Sequence, residues 1–286
     1  MIFLKRFFDF IFFGNVYVAL GSVCLIQSTI IQSGFNNHLI WYSLLTFFAT
    51  LFVYNFQRVF YKPQHDNSLH SIRRKWIFKN GLTIRILSVI GFVGISITFF
   101  YNDFDVLFYL SPLLFLSIAY FAPFIKFRKN AWLKLLTLVF VWTMTTAVVP
   151  MLLSNSEMFT KNNLLHILIR SCFMLGICIP FDIRDLQIDK VDTISTIPHV
   201  LGENKAKWLA FSILVIYCLL IVIGYEYTLF KTEIFIALMI SAAINMILVL
   251  ISNSNRNEYF FVAGIDGTMI LQGVLLAIMK FIYPST

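Results

Sequence analysis

Apolar residues are concentrated in nine long runs along the chain, separated by short polar segments. A helix needs about 20 successive apolar residues to cross the hydrocarbon core of a bilayer. Each run comes close to this length, so the pattern predicts nine transmembrane helices. The predicted spans are residues 10–31, 39–57, 86–102, 106–125, 135–153, 163–181, 208–225, 234–251 and 259–282.

Composition supports a membrane protein. The 286-residue chain is 59% hydrophobic, contains 32 Phe and has a mean hydropathy of +0.82. This is more apolar surface than one soluble core of the same length would bury, so the remainder must face lipid. Since no soluble appendage or long linker interrupts the pattern, we expect residues 1–286 to form a single integral membrane domain of the all-α class.

The 22 Lys and Arg residues are distributed unevenly between the predicted loops. Nearly all lie in the N-terminal segment, in the loops after spans two, four, six and eight, or at the adjoining span ends. Only Lys161, Lys231 and Lys280 lie on the other side, and Arg170 lies inside a span. The positive-inside rule therefore predicts an integral protein of the cell (inner) membrane, with its N-terminus and the even-numbered loops in the cytoplasm.

The net charge of +8 has an ordinary explanation in this topology. Basic residues beside the spans contact anionic membrane lipid, and a smaller part of the excess would serve an anionic ligand. Because the basic residues are divided among short loops and form no basic domain outside the membrane, we expect no nucleic acid partner.

Four aspartates lie within eleven residues after the sixth span, in the segment DIRDLQIDKVD. If a helix continues past Pro180, the i, i+3 and i+7 spacing places Asp182, Asp185 and Asp189 on one helical face. Three carboxylates arranged in this way favour Mg²⁺, which binds one or two carboxylates and takes its other ligands from water and phosphate. The simpler alternative is a solvated acidic loop whose first residue caps a helix.

Two stretches of the sequence, DIRDLQIDK with the following TIPHVLG, and YFAPFIKFR, resemble motifs of the UbiA superfamily of intramembrane prenyltransferases. DIRDLQIDK and TIPHVLG are similar to the second aspartate-rich motif of that family. YFAPFIKFR is similar to its Tyr-x-x-Pro-x-x-Lys segment after the fourth span. Nine spans and a similar chain length extend the resemblance over essentially the whole chain, and imply nine helices around a central cavity. The matching residues are Asp182, Asp185, Asp189, Thr196, Pro198, Leu201 and Gly202 in the first segment, and Tyr120, Pro123, Lys126 and Arg128 in the second.

The resemblance implies a site for a polyprenyl diphosphate at the cytoplasmic rim. Its apolar tail would lie between helices open to membrane lipid, and Mg²⁺ would neutralise the leaving diphosphate while an acceptor attacks the allylic carbocation. The sequence does not identify this acceptor. The implied metal-binding and catalytic residues are Asp182, Asp185 and Asp189, and the implied substrate-binding residues of the second segment are Tyr120, Lys126 and Arg128.

The first aspartate-rich motif of the family is altered in this chain. The family has Asn-Asp-x-x-Asp-x-x-x-Asp after the second span, whereas this chain has NFQRVFYKP. Asn55 is kept as a substrate-binding candidate, but Phe56, Val59 and Pro63 replace the three aspartates. Arg58 lies inside the motif and would bind phosphate oxygens in place of one metal ion, leaving a one-metal site on the second motif. Alternatively, Arg58 extends to lipid headgroups at the end of the span.

Ionisable residues outside these motifs are further candidates. Arg170 and Asp266 lie at membrane depth, where an unpaired charge is costly, so each is a functional candidate unless the two pair between spans six and nine. The basic cluster Arg73, Arg74 and Lys75 belongs to the second cytoplasmic loop. We expect it either to be solvated or to contact the diphosphate.

Two functions fit this sequence. The first is a Mg²⁺-dependent transferase that moves a polyprenyl group from its diphosphate to an unidentified acceptor, with an altered first metal site. The alternative is a catalytically inactive UbiA-like membrane protein that binds a prenyl lipid or diphosphate. A transporter is disfavoured, because the acids gather at one rim instead of lining a path at the bilayer midplane.

Overall fold

The computed structural model describes residues 2–35, 39–59, 71–121, 130–154, 160–191 and 194–283. These residues form α-helices and two short π-helical segments, and they contain no β-strand. The π-helical segments are Met144–Val148, between α7 and α8, and Phe260–Ile265, before α14. The α-helices are α1 (Ile2–Phe13), α2 (Val16–Ser33), α3 (Ile40–Val59), α4 (Ile72–Lys79), α5 (Gly81–Phe99), α6 (Phe104–Phe121), α7 (Ala131–Thr143), α8 (Val149–Leu153), α9 (Lys161–Arg184), α10 (Leu186–Val191), α11 (Ile197–Leu201), α12 (Glu203–Glu226), α13 (Thr232–Ile251) and α14 (Gly267–Ile282).

The helices confirm the predicted all-α membrane class. Each of the nine predicted spans overlaps one or more helical segments, and seven helical segments of the described residues are long and apolar enough to cross a membrane. The other two predicted spans correspond to α3, which has 20 residues, and α6, which has 18. The seven segments are Val16–Ser33, Gly81–Phe99, Ala131–Leu153, Lys161–Arg184, Glu203–Glu226, Thr232–Ile251 and Phe260–Ile282.

The first span begins later than the predicted residue 10. Asn15 has a φ of 62°, a left-handed conformation that an α-helix cannot contain. At Gly14, an added Cβ would lie 2.3 Å from the carbonyl oxygen of Phe10 and 2.9 Å from a methyl carbon of Leu87. The chain therefore turns between α1 and α2, and the span begins at Val16.

The spans contact one another in a ring. Along one side α2 packs on α3 and α3 on α5, while α6 contacts both α3 and α7. Along the other side α7 packs on α9, α9 on α12, α12 on α13 and α13 on α14, which returns to α2. The ring surrounds a cavity that side chains of α2, α3, α7, α9 and α14 line.

The π-helical segment Met144–Val148 is joined to neighbouring helices by side-chain hydrogen bonds. A π-helical turn leaves backbone carbonyls without their regular helical donors. Tyr42 donates its hydroxyl to the carbonyl oxygen of Thr145 at 2.6 Å, and Thr29 donates to that of Thr146 at 2.7 Å. These bonds fix the rotation of this segment relative to α2 and α3.

Glycines allow α3 and α5 to pack closely. An added Cβ at Gly91 would lie 2.7 Å from the backbone nitrogen of Phe52, and one at Gly94 would lie 2.2 Å from the ring of Phe48. Small residues at such crossings let two membrane helices approach, and van der Waals contact then holds them together.

We expect Gly91→Ala to destabilise the protein by about 1–3 kcal/mol, because the new methyl group would collide with the backbone of α3. Gly81→Ala is the matched control on the same helix, since no atom lies within 4 Å of a Cβ at that position. Thermal unfolding in detergent would compare the two variants. Equal melting temperatures would contradict the close packing of α3 and α5.

Candidate functional site

A cavity of about 170 Å³ lies between α2, α3, α7, α9 and α14. Its wall changes from charged to apolar along the helices. Arg58 and Arg184 lie at the ends of α3 and α9, while Met174 lies more than two turns further into α9. The lining residues are Phe12, Asn15, Val18, Tyr54, Arg58, Arg73, Leu138, Trp142, Met174, Ile177, Cys178, Phe181, Arg184, Val262, Asp266 and Met269.

Three arginines from different helices line the charged end of this cavity. Arg58 comes from the last turn of α3, Arg73 from α4 and Arg184 from the end of α9. Burial, with the charge of Arg184 beside it, lowers the pKa of Arg73, although a guanidinium in a protein stays protonated. Cations that are buried close to one another in this way repel each other, so an anion that enters between them is stabilised.

Arg58 differs from the other two arginines in its partners. Its Nη1 donates to the carbonyl oxygen of Phe13 at 2.5 Å, and its other N–H groups have no hydrogen-bond partner among the described residues. The side chain lines the cavity. Arg58 is therefore the arginine of this cavity that has no carboxylate partner among the described residues.

Arg184 and Asp185 form the best-aligned ion pair of the site. The guanidinium binds both carboxylate oxygens, at 2.9 Å through Nε and 2.7 Å through Nη2, and it lies over the ring of Phe181 at 4.9 Å. Arg73 adds a contact to Asp185 at 3.5 Å. Burial opposes the ionisation of Asp185, but Arg184 and then Arg73 outweigh it and hold the pKa of this carboxyl well below its ordinary value.

The three aspartates of the second motif do not share one helical face. Helix α9 ends at Arg184, Asp185 lies in the following turn, and α10 starts at Leu186. Asp185 consequently faces the arginines, while Asp182 and Asp189 meet elsewhere. In the part of the chain that the structure describes, no group of three His, Cys, Asp or Glu residues is placed to hold a metal ion.

Asp182 and Asp189 meet at Lys134. The Nζ atom of Lys134 lies 2.6 Å from Oδ1 of Asp182 and 3.3 Å from Oδ2 of Asp189. Burial raises the pKa of Asp189, and the ammonium of Lys134 partly offsets this effect. Two carboxylates of the motif therefore converge on one point, which a cation of the chain occupies.

Asn55 is buried and fully hydrogen-bonded within the protein. Its Nδ2 donates to the carbonyl oxygens of Gly14 at 3.0 Å and Leu51 at 2.8 Å, and its Oδ1 accepts from Asn15 at 3.0 Å. Asn55 thus ties α3 to the turn between α1 and α2, one turn of helix away from Arg58. It does not line the cavity.

The second segment of the resemblance falls largely outside the described residues. Tyr120 lies in the last turn of α6, but its side chain is outside the described part of the structure. Lys126 and Arg128 lie between α6 and α7, outside the described ranges.

Arg170 and Asp266 do not pair with each other. Arg170 donates to three oxygens of α2: the carbonyl oxygen of Leu25 at 3.0 Å and the hydroxyls of Ser28 at 3.3 Å and Thr29 at 3.1 Å. Asp266 lines the cavity with the arginines. Of the two intramembrane charges, only Asp266 belongs to the candidate site.

Sequence reasoning missed Lys134, Arg184 and Glu258. Lys134 is 48 and 55 residues from its two acidic partners, so no local spacing indicates the contact. Glu258 accepts from the backbone nitrogen of Arg73 at 3.1 Å and from the hydroxyl of Ser71, and so holds the start of α4 over the cavity. Arg73 lines the cavity with a side chain that is 17% exposed, so the interpretation of the basic loop as solvated does not hold for this residue.

A second cavity, of about 250 Å³, lies between α3, α5, α6 and α7. Its walls are almost entirely apolar, and it shares Tyr54, Leu138 and Trp142 with the arginine-lined cavity. Trp142 donates its indole N–H to the hydroxyl of Tyr54 at 3.3 Å across this shared wall. The apolar lining includes Leu45, Ala49, Val53, Ile95, Phe99, Val106, Leu110, Leu113 and Val141.

We expect Asn55→Ala to destabilise the protein by about 1–3 kcal/mol, because it leaves buried groups of the α1–α2 turn without partners. Gln57→Ala on the same helix is the control, since the side-chain nitrogen of Gln57 has no hydrogen-bond partner among the described residues. Chemical denaturation in detergent would measure both variants. A free energy of unfolding unchanged by Asn55→Ala would contradict the positioning role of this residue.

Comparison with known proteins supports the predicted resemblance. No sequence-family model and no curated protein matches the chain. Among solved structures, it is similar to a UbiA homologue from Aeropyrum pernix K1 in the apo state, with a TM-score of 0.67, 14% identity and coverage of 92% of this chain and 97% of that chain. A UbiA homologue from Archaeoglobus fulgidus bound to GPP and Mg²⁺ gives a TM-score of 0.62 at 12% identity, over 94% of this chain and 99% of that chain. A structure of digeranylgeranylglyceryl phosphate synthase gives a TM-score of 0.58 at 14% identity, over 97% of this chain and 98% of that chain. The chain therefore has the fold of the UbiA superfamily along almost its whole length.

Proposed function

We propose that this protein binds a polyprenyl diphosphate and transfers its polyprenyl group to an unidentified acceptor. The observation that carries the proposal is the junction of two cavities: one lined by three arginines, the other apolar, sharing the wall of Tyr54 and Trp142. A prenyl diphosphate has the same division into an anionic head and an apolar tail. The GPP and Mg²⁺ bound by the Archaeoglobus fulgidus homologue support this assignment.

The arginine-lined cavity would hold the diphosphate. Guanidinium groups bind phosphate oxygens in pairs, and Arg58, which has no carboxylate partner among the described residues, would supply positive charge that no acid of the site offsets. Arg58 would make the main contact, since its free donors face the cavity. Asp185 would act as a positioning residue that fixes the guanidinium planes of Arg73 and Arg184.

The shared aromatic wall would then face the bond that breaks. With the head at the arginines and the tail in the apolar cavity, the first carbon of the prenyl chain lies near Tyr54 and Trp142. The faces of aromatic rings attract cations, so these side chains would stabilise the allylic cation as diphosphate leaves. The apolar surroundings would also keep water from trapping it.

The residues present fit one Mg²⁺ ion. Mg²⁺ binds proteins through one or two carboxylates and shares its remaining positions with water and phosphate oxygens. Oxygens of Asp182 and Asp189 converge on one point, now occupied by the ammonium of Lys134, so this pair would hold the ion once the lysine moves aside. Neither aspartate lines the arginine cavity itself, so a bound Mg²⁺ would neutralise the leaving diphosphate only where phosphate oxygens extend to this pair.

Different observations support the proposed roles of the other predicted residues, which are Asn55, Tyr120, Lys126 and Arg128. Asn55 would position Arg58, because both side chains bind the α1–α2 turn from adjacent turns of α3. Tyr120, Lys126 and Arg128 are proposed as substrate-binding residues from the resemblance alone.

The proposed topology places the diphosphate site at the cytoplasmic face of the inner membrane. Arg58, Arg73 and Arg184 belong to the ends of helices whose connecting loops carry most of the basic residues. Membrane lipid would surround the outer surfaces of the ring. No part of the proposal involves nucleic acid.

A second candidate function is binding of the same ligand without turnover. It is supported by the altered first motif, in which Phe56 and Val59 stand where the family has metal-binding aspartates. Incubating the purified protein with Mg²⁺ and labelled GPP separates the two functions. Release of diphosphate supports the transferase, and stable binding of intact GPP supports the binder. Failure to bind GPP with or without Mg²⁺ would overturn both.

We expect Arg58→Met to weaken GPP binding by about 10–100-fold, because it removes charged donors to the phosphate oxygens. Arg85→Met is the matched control, since Arg85 is exposed on α5 and does not line the cavity. Equilibrium binding of radiolabelled GPP in detergent would measure both. Unchanged affinity in Arg58→Met would favour a role for this arginine at lipid headgroups.

We expect Ala49→Phe to weaken binding of GPP more than binding of DMAPP, because Ala49 lines the apolar cavity and a larger side chain would exclude the longer tail. Competition of unlabelled GPP and DMAPP against labelled ligand would give both affinities. Equal losses for the two diphosphates would show that the tail does not occupy this cavity.

A further inference from the structure

Lys134 forms a buried cluster with two acids of the second motif. Its Nζ atom contacts Asp182 at 2.6 Å and Asp189 at 3.3 Å, and the side chains of the three residues are 12%, 9% and 6% exposed. The ammonium lies where the carboxylate oxygens converge. This is also the position at which an ion bound by both carboxylates would lie.

We infer that Lys134 competes with Mg²⁺ for Asp182 and Asp189, so that the second motif binds a divalent ion only when the ammonium is displaced. The importance of this competition for prenyl transfer rests on the proposed function, but the competition itself concerns only these three residues and the ion.

Charge gives the first reason for competition. Asp182 and Asp189 alone present two negative charges to an ion, and Lys134 cancels one of them. Two cations a few ångströms apart in a partly buried site repel strongly, so the ammonium and Mg²⁺ would not occupy the cluster together. Removing the lysine charge would therefore raise the affinity for a divalent ion.

The position of Lys134 is fixed by the start of α7. The side chain of Asn130 accepts hydrogen bonds from the backbone nitrogens of Trp132 and Leu133, both at 3.1 Å, and so caps the helix one turn before Lys134. Ala131 and Leu135 on either side are buried against the core. The backbone thus holds the ammonium at the acids, and its displacement must come from rotation of the flexible lysine side chain.

The third acid of the motif is unable to take over the role of metal ligand. Asp185 is bound by Arg184 through both oxygens and is also contacted by Arg73. All three carboxylates are therefore paired with cations of the chain itself. The wild-type motif would bind divalent ions weakly, and the arginines would provide most of the affinity for the diphosphate.

Binding of Mn²⁺, a spectroscopic substitute for Mg²⁺, tests this inference on the full-length protein in detergent. Electron paramagnetic resonance measures free Mn²⁺ during titration of the wild type, Lys134→Met and the control Lys205→Met, whose lysine is exposed. We expect Lys134→Met to bind Mn²⁺ at least about tenfold more tightly than the wild type and the control. The gain should disappear in Lys134→Met combined with Asp182→Asn.

Loss of Lys134 leaves two buried carboxylates unpaired and would destabilise the fold. Thermal unfolding therefore provides a second measurement, in which Mg²⁺ should raise the melting temperature of Lys134→Met more than that of the wild type. Lys134→Gln offers a polar replacement of similar length. If neither variant folds, Mn²⁺ binding by the wild type and by Asp182→Asn tests the inference. Tight binding by the wild type that Asp182→Asn abolishes would overturn it, and weak binding by the wild type supports it.

An equal Mn²⁺ affinity in wild type and Lys134→Met would also overturn the inference. GPP binding measured on the same preparations keeps this result separate from the proposed function. Wild-type protein that binds both GPP and Mn²⁺ tightly retains the proposed function without the competition. Protein that binds no GPP loses the proposed function, while the Mn²⁺ titrations still decide the role of Lys134.

Discussion

The candidate site of this protein depends on the pairing of charges at the end of α9. Charged side chains near a membrane interior are costly unless each has a partner. Arg184 and Asp185 satisfy this requirement with a two-point ion pair where the helix stops, and Arg73 joins them from α4. Because α9 lies between α7 and α12 in the ring, this cluster also connects the short helix α4 to the spans. The cavity keeps its charged end because these side chains are held in place.

The two cavities of this protein provide two environments of different polarity. The arginine-lined cavity offers fixed charges at the rim, and the apolar cavity offers an environment close to that of the lipid tails. An amphiphile can satisfy both at once only by crossing the wall of Tyr54 and Trp142. If the ligand is a prenyl diphosphate, as proposed above, arginines would provide charge complementary to its phosphates without the aspartates of the first motif.

The fold class could be predicted from the sequence, because hydrophobic run length is a local property. The sequence also placed Arg58 and the acidic motif at or just beyond the C-terminal ends of α3 and α9, where the structure has them. It missed the break of the helix after Arg184, which turns Asp185 away from Asp182 and Asp189. The partner of these two acids, Lys134, belongs to another helix, and packing alone brings it there. Arg170 shows the same limit, since its partners on α2 are neutral oxygens that no charge pattern indicates.

The π-helical segment after α7 ties the helix of the shared wall to its neighbours. One turn of this kind holds one residue more than the α-helical turn it replaces, so backbone carbonyls in it lack their regular helical donors. Because Tyr42 and Thr29 donate to the carbonyl oxygens of this segment, the span that carries Leu138 and Trp142 is anchored to α2 and α3. Removing a single residue would restore the regular helical hydrogen bonds and leave the two hydroxyls without these acceptors. The extra residue therefore exchanges hydrogen bonds inside one helix for hydrogen bonds between helices.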